Sequence, residues 1–123
     1  VAIYGIGIDL TEVARIKRAI ELYDTKFLNR IFTPQEIAFC EGLDDKYPSY
    51  AGRFAAKEAF SKALGTGLRG AISWQEIEIC DNERSRPTIL VTGRAKKRLG
   101  NRQVHLSLTH TREYAAAIVI IED

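Results

Sequence analysis

Alanine recurs at every fourth position of one stretch, at Ala51, Ala55, Ala59 and Ala63, within "AGRFAAKEAFSKALGTG". Residues four apart lie above one another on a helix, so the row predicts a helix with one face small enough for close packing. Gly65 follows as a natural left-handed cap. The same helix carries Arg53, Lys57, Glu58 and Lys62. As an ordinary solvated face, the Glu58 and Lys62 pair at i,i+4 spacing would add only about 0.3 kcal/mol. A different reading places one carboxylate and two lysines toward neighbouring space. That trio suits a phosphate ester with a divalent cation: the carboxylate is a hard oxygen ligand, and the lysines neutralise oxygens the metal does not reach.

The remaining elements follow from local signals. "IYGIGIDL" reads as an apolar strand ending at Asp9, and from Thr11 the residues Val13, Ile16, Ile20 and Tyr23 fall near helical spacing. Thr33, Pro34 and Glu36 form a capping box with proline at the first helical position, which starts a second helix. "DDKYPSY" reads as the loop before the alanine-row helix. "EIEICD" and "PTILVT" predict a hairpin across "NERSR", and Thr92 or Gly93 starts a short basic helix ending near Gly100. "VHLSLTH" alternates Val104, Leu106 and Leu108 with His105, Ser107 and Thr109, and "YAAAIVII" is apolar throughout, as a central strand is. The expected fold is α+β, with an N-terminal strand, several helices and antiparallel hairpins in a single domain over residues 1–123.

Composition narrows the function. Of 123 residues, 46% are hydrophobic and 28% charged, which places the chain in the range of one globular domain. A net charge of +2 is too balanced to mark a nucleic-acid binder, so partner preference must come from local clusters. Cys40 and Cys80 lack a C-x-x-C arrangement and read as buried fillers. No stretch has the length of a membrane span and no secretion leader is evident, so the expected compartment is the cytosol.

Asp9 is the second candidate metal ligand, since magnesium commonly takes another carboxylate beside water and phosphate. An aspartate at the end of an apolar strand needs a partner; the alternative is that it caps the following helix. "GIGIDL" also resembles half of a dinucleotide fingerprint, but no third glycine follows at the required spacing. Ser107, Thr109 and His110 offer groups for phosphate oxygens, with a structural hydrogen-bonding role as the alternative for His110.

"GIGIDLTEVARI", "RFAAKEAFSKALGTG" and "LSLTHTREYAAAIV" resemble, in order and spacing, the short bacterial holo-(acyl carrier protein) synthases of the 4′-phosphopantetheinyl transferase superfamily. The resemblance extends over essentially the whole chain, through Gly7-Ile8-Asp9 and Phe54 to Ala63. It implies a transferase of fatty acid biosynthesis that moves 4′-phosphopantetheine from coenzyme A to a serine of apo-acyl carrier protein and releases adenosine 3′,5′-bisphosphate. Magnesium or manganese would be held by Asp9 and Glu58, with Lys62 on the pyrophosphate. Arg53 and His110 match positions near the 3′-phosphate and nucleotide end, with Gly65, Pro87, Ser107 and Thr109 lining the same cleft; Lys57 is read with the other cations as facing the cofactor. The serine proton has three candidate acceptors: Glu58, a metal-bound water and His110.

Arg15 and Arg30 match positions that contact the carrier. Lys17, Arg18, Lys26 and the apolar anchor Phe27 extend that face, which suits an acidic helix. Interleaved Glu12, Glu21 and Asp24 fit an ordinary solvated helix as well. Short members of the family are homotrimers with sites between subunits. Two further readings compete. "GRAKKRLGNR" concentrates Arg94, Lys96, Lys97, Arg98 and Arg102 as in a small RNA-binding module, though without interleaved aromatics. A magnesium-dependent transferase acting on another nucleotide would keep Asp9 and Glu58.

Overall fold

The computed structural model describes residues 2–81 and 86–123. β1 (Ile3–Glu12) leads into α1 (Val13–Tyr23), α2 (Thr25–Ile31), α3 (Pro34–Glu41) and α4 (Tyr47–Leu64). A 3-10 turn at Trp74–Glu76 precedes the hairpin of β2 (Ile77–Asp81) and β3 (Pro87–Val91). α5 (Gly93–Leu99), β4 (Gln103–His110) and β5 (Tyr114–Glu122) complete a single α+β domain. No helix among the described residues is long and apolar enough to cross a membrane.

β1, β5 and β4 form an antiparallel sheet in that order, with β5 central as its unbroken apolar sequence predicts. α4 lies across the inner face of this sheet. The alanine row is buried, and β1 answers it with two glycines: a Cβ on Gly7 would stand 1.8 Å from the Ala59 carbonyl oxygen, and one on Gly5 would stand 1.9 Å from that of Ala63. Helix and strand backbones therefore touch, a separation that no larger residue at either glycine permits. Gly65 closes α4 with φ 89°, in the left-handed region. The core continues through Phe60, Ile77, Ile79, Val119 and Ile121, and α5 adds Ala95 and Leu99.

Several boundaries differ from expectation. β1 runs on to Glu12, because Thr11 and Glu12 pair with Ala115 and Tyr114. The following helix breaks at Asp24, whose φ of 46° ends α1 and turns the chain into α2. α4 begins at Tyr47, inside the expected loop, since Pro48 is tolerated in a first helical turn. The capping box of α3 forms as read: Thr33 accepts from the Glu36 N–H and Glu36 accepts from the Thr33 N–H. Of the "NERSR" turn, residues 82–85 lie outside the described residues. Cys40 is buried, whereas Cys80 is half-buried beside Glu78.

Candidate active site

The seam between β1 and α4 carries the chemistry. Strand alternation puts Gly5, Gly7, Asp9 and Thr11 on the face toward α4, so Asp9 follows directly from the two glycines that admit the helix. Its Oδ2 accepts from Thr11 Oγ1 at 2.6 Å and its Oδ1 accepts from Lys62 Nζ at 3.2 Å. The Lys62 ammonium also donates to the Ile8 carbonyl at 3.0 Å. The first residue of α1 is capped instead by Glu12, without a side-chain bond, so the capping alternative for Asp9 is set aside.

Glu58 stands next to this pair. Burial pushes its carboxyl above the ordinary range, the Asp9 carboxylate pushes it further, and Lys62, Arg15 and Arg69 pull it back. Two carboxylates and one ammonium therefore share one partly desolvated space, on which the charges of Arg15 and Arg69 also act. This donor set fits a divalent cation: both acids are hard oxygen ligands, and an added positive charge relieves the repulsion that raises Glu58. Lys62 is half-exposed and flexible enough to exchange its bond with Asp9 for one with a phosphate oxygen.

Lys57 requires a correction. It was expected to face an anionic cofactor, yet its side chain is fully buried. Nζ donates to Glu36 Oε1 at 2.6 Å, to the Ile31 carbonyl at 2.8 Å and to the Trp74 carbonyl at 3.1 Å, so all three of its protons are used. Consecutive helical residues project about 100° apart; Glu58 faces the seam and Lys57 faces the α2–α3 junction.

A second cleft, of about 330 Å³, lies near the other end of α4 and is lined by Arg53, Asp81, Pro87, Leu108 and His110 among others. Arg53 is fixed in it. Its Nη1 donates to Ser49 Oγ at 2.9 Å, its Nη2 donates to Asp81 Oδ2 at 3.0 Å, and its guanidinium lies over Phe39 at 4.4 Å. Its Nε is buried without a partner among the described residues. Arg53, Pro87 and His110, expected together, are thus brought together. Gly65, Ser107 and Thr109 do not line this cleft within one chain: Gly65 ends α4, and Ser107 and Thr109 project from the outer face of β4, opposite to Leu108. Asp81 was not singled out from the sequence, because nothing local marks a strand-end aspartate as the partner of an arginine 28 positions earlier. Arg69 was missed for the same reason.

Tyr23, Lys26, Phe27 and Arg30 line a mostly apolar cleft of about 420 Å³ along α1 and α2. Arg15 and Arg18 are exposed on α1, and Arg15 acts electrostatically on Glu58. The basic helix α5 spends Arg94 on the Gly70 carbonyl and on Glu76, and Lys96 on the Gly100 carbonyl.

The family described as the 4′-phosphopantetheinyl transferase superfamily matches residues 5–119. A holo-(acyl-carrier-protein) synthase of Chloroherpeton thalassium is 50% identical over 117 residues, spanning 95% of this chain and 96% of that protein. Among solved structures, the holo-(acyl-carrier-protein) synthase of Neisseria meningitidis matches with a TM-score of 0.91 at 36% identity, covering 99% of this chain and 100% of that one. The Bacillus anthracis holo-(acyl-carrier-protein) synthase in complex with CoA (3′,5′-ADP) matches with a TM-score of 0.85 at 38% identity, covering 98% of this chain and 96% of that one.

Proposed function

The chain belongs to the 4′-phosphopantetheinyl transferase superfamily, and we propose from that membership that it transfers 4′-phosphopantetheine from coenzyme A to a serine of apo-acyl carrier protein. The observation that carries the reading is the Asp9, Glu58 and Lys62 cluster at the backbone seam. The serine oxygen forms a bond to the phosphorus that bears pantetheine. The bond from that phosphorus to the bridging oxygen breaks, and adenosine 3′,5′-bisphosphate leaves.

Asp9 and Glu58 would hold magnesium, or manganese, and the ion would supply positive charge for the phosphoryl oxygens. Lys62 turns from Asp9 toward the pyrophosphate and neutralises charge that develops on the leaving phosphate. Among the chain's own groups, Glu58 is the candidate to take the serine proton, because it lies in the same cluster as Asp9 and Lys62. His110 lies with Arg53 in the other cleft, which favours a binding role at the nucleotide end.

The carrier docks on α1 and α2, with Phe27 as anchor and Arg15, Arg18 and Arg30 facing its acidic helix. The working form is a homotrimer with the site between subunits. The outer face of the sheet is apolar and open, with Ile6, Ile8, Leu10 and Ile118 exposed, and Ser107 and Thr109 sit on that same face, where they can reach a neighbour's cofactor. Its place is in fatty acid biosynthesis in the cytosol.

The deciding experiment mixes the protein with coenzyme A, magnesium and apo-acyl carrier protein and weighs the carrier by mass spectrometry. One added phosphopantetheine is expected. An unmodified carrier, with a competent control enzyme converting the same preparation, overturns the reading and favours a different nucleotide substrate.

A further inference from the structure

α4 lies on the sheet along its smoothest surface. Ala59 and Ala63 meet Gly7 and Gly5 backbone to backbone, and such a contact fixes separation well but offers few protrusions to resist rotation about the helix axis or sliding along it. Glu58 borders that smooth strip, so its distance from Asp9 depends on both motions.

Beside the buried side chains of Tyr50, Phe60 and Leu64, directional bonds from the opposite side of the helix supply what the strip lacks. Lys57 Nζ reaches the last residue of α2 through the Ile31 carbonyl and the turn before β2 through the Trp74 carbonyl. Glu36, fully buried with it, accepts from the Thr33 N–H at 2.8 Å on the same oxygen that meets Lys57 and from the Ile79 N–H at 2.8 Å on the other. Thr33 in turn donates to Glu78 at 2.6 Å. One ion pair thus ties α4 to the end of α2, the cap of α3 and strand β2. Arg30, in the docking cleft, immediately precedes Ile31.

A buried pair of this kind contributes little net stability, since desolvating both charges offsets their attraction. Burial lowers the Lys57 proton affinity despite its glutamate partner. Its contribution lies in the fixed geometry.

We propose that the buried Lys57–Glu36 pair is a positioning device for the transfer site: it sets the rotation and height of α4, and hence the spacing of Glu58 from Asp9 and from the carrier-docking helices. Lys57 touches neither substrate and acts through Glu58. The proposal rests on the metal and transfer roles given above.

The test is Lys57→Met, with Lys57→Arg as a charge-preserving variant that alters reach. Folding is followed by circular dichroism. Manganese binding is followed by the electron-spin signal of free Mn²⁺ in the presence of coenzyme A, and turnover by carrier mass. In folded Lys57→Met the half-saturating manganese concentration rises about tenfold, the carrier KM stays within about twofold, and kcat falls about tenfold or more. A merely structural residue would lower the amount of active protein and leave the half-saturating concentration unchanged. That unchanged value in either folded variant overturns the proposal. Should Lys57→Met not fold, Lys57→Arg decides alone, with a rise of about fivefold expected. Wild-type protein that binds manganese but modifies no carrier would overturn the function and leave the positioning test readable by its binding arm.

Discussion

Glu58 is less favourable for folding than an uncharged residue of the same shape, and this follows from the direction of its shift. The unfolded chain releases the Glu58 proton near the ordinary value of 4.5, whereas the folded protein, through burial and Asp9, holds it to higher pH. Between those values the folded state binds more protons, so stability declines as pH rises through this window and stays lower above it. Glu58→Gln is therefore expected to raise the melting temperature at neutral pH while abolishing carrier modification, with the thermal gain disappearing as pH is lowered past 4.5. Calorimetry across pH checks this; a variant less stable at neutral pH contradicts the account. Arg15 makes a different case, because it is exposed, acts on Glu58 and belongs to the proposed docking face. Arg15→Glu should raise the carrier KM about tenfold and the coenzyme A KM by less, and the difference should shrink in high salt. Equal changes in both constants would remove Arg15 from the docking face.

At the scale of elements, the β1–α4 seam is the least forgiving contact. A methyl group at Gly7 would meet the Ala59 carbonyl oxygen at 1.8 Å and the Ala63 nitrogen at 2.8 Å, both backbone atoms that cannot swing aside. Gly7→Ala should cost about 3 kcal/mol or more in urea unfolding, at the upper end of overpacking effects. A loss below 1 kcal/mol would mean that strand and helix separate easily. Elements marked by their own residues were legible in the sequence: the Thr33 capping box, the alanine row, Gly65 and the alternation of β4 all required neighbours only a few positions away. What could not be read depended on distant partners. β1 extends to Glu12 because Ala115 and Tyr114 continue the ladder. Asp24 turns the chain without the glycine that usually marks a positive φ. Lys57 shows the limit most clearly, since helical spacing gives its angle relative to Glu58 but not which side the α2–α3 junction will cover.

The whole molecule presents an apolar sheet face that a single chain leaves open. Ile8 is 65% exposed and Leu10 is 67% exposed, on the strand that also carries Asp9. Contiguous apolar surface of this kind marks a contact with another protein surface. In sedimentation the protein should run as a trimer, and Ile8→Arg should run as a monomer with carrier modification lost. A fully active monomer would show that one chain completes the site.

The register of β1 adds a consequence in the order of synthesis. Asp9 stands opposite Ala117, and Ile3 stands opposite Glu122, so β1 must wait for a strand made much later. Until β5 leaves the ribosome, Asp9 has no fixed strand to sit on and the apolar residues of β1 have no ladder to join. Pairing over so long a stretch of chain is slow and leaves the early segment open to wrong partners. The ladder that fixes the Asp9 strand is thus complete only once β5 lies between β1 and β4.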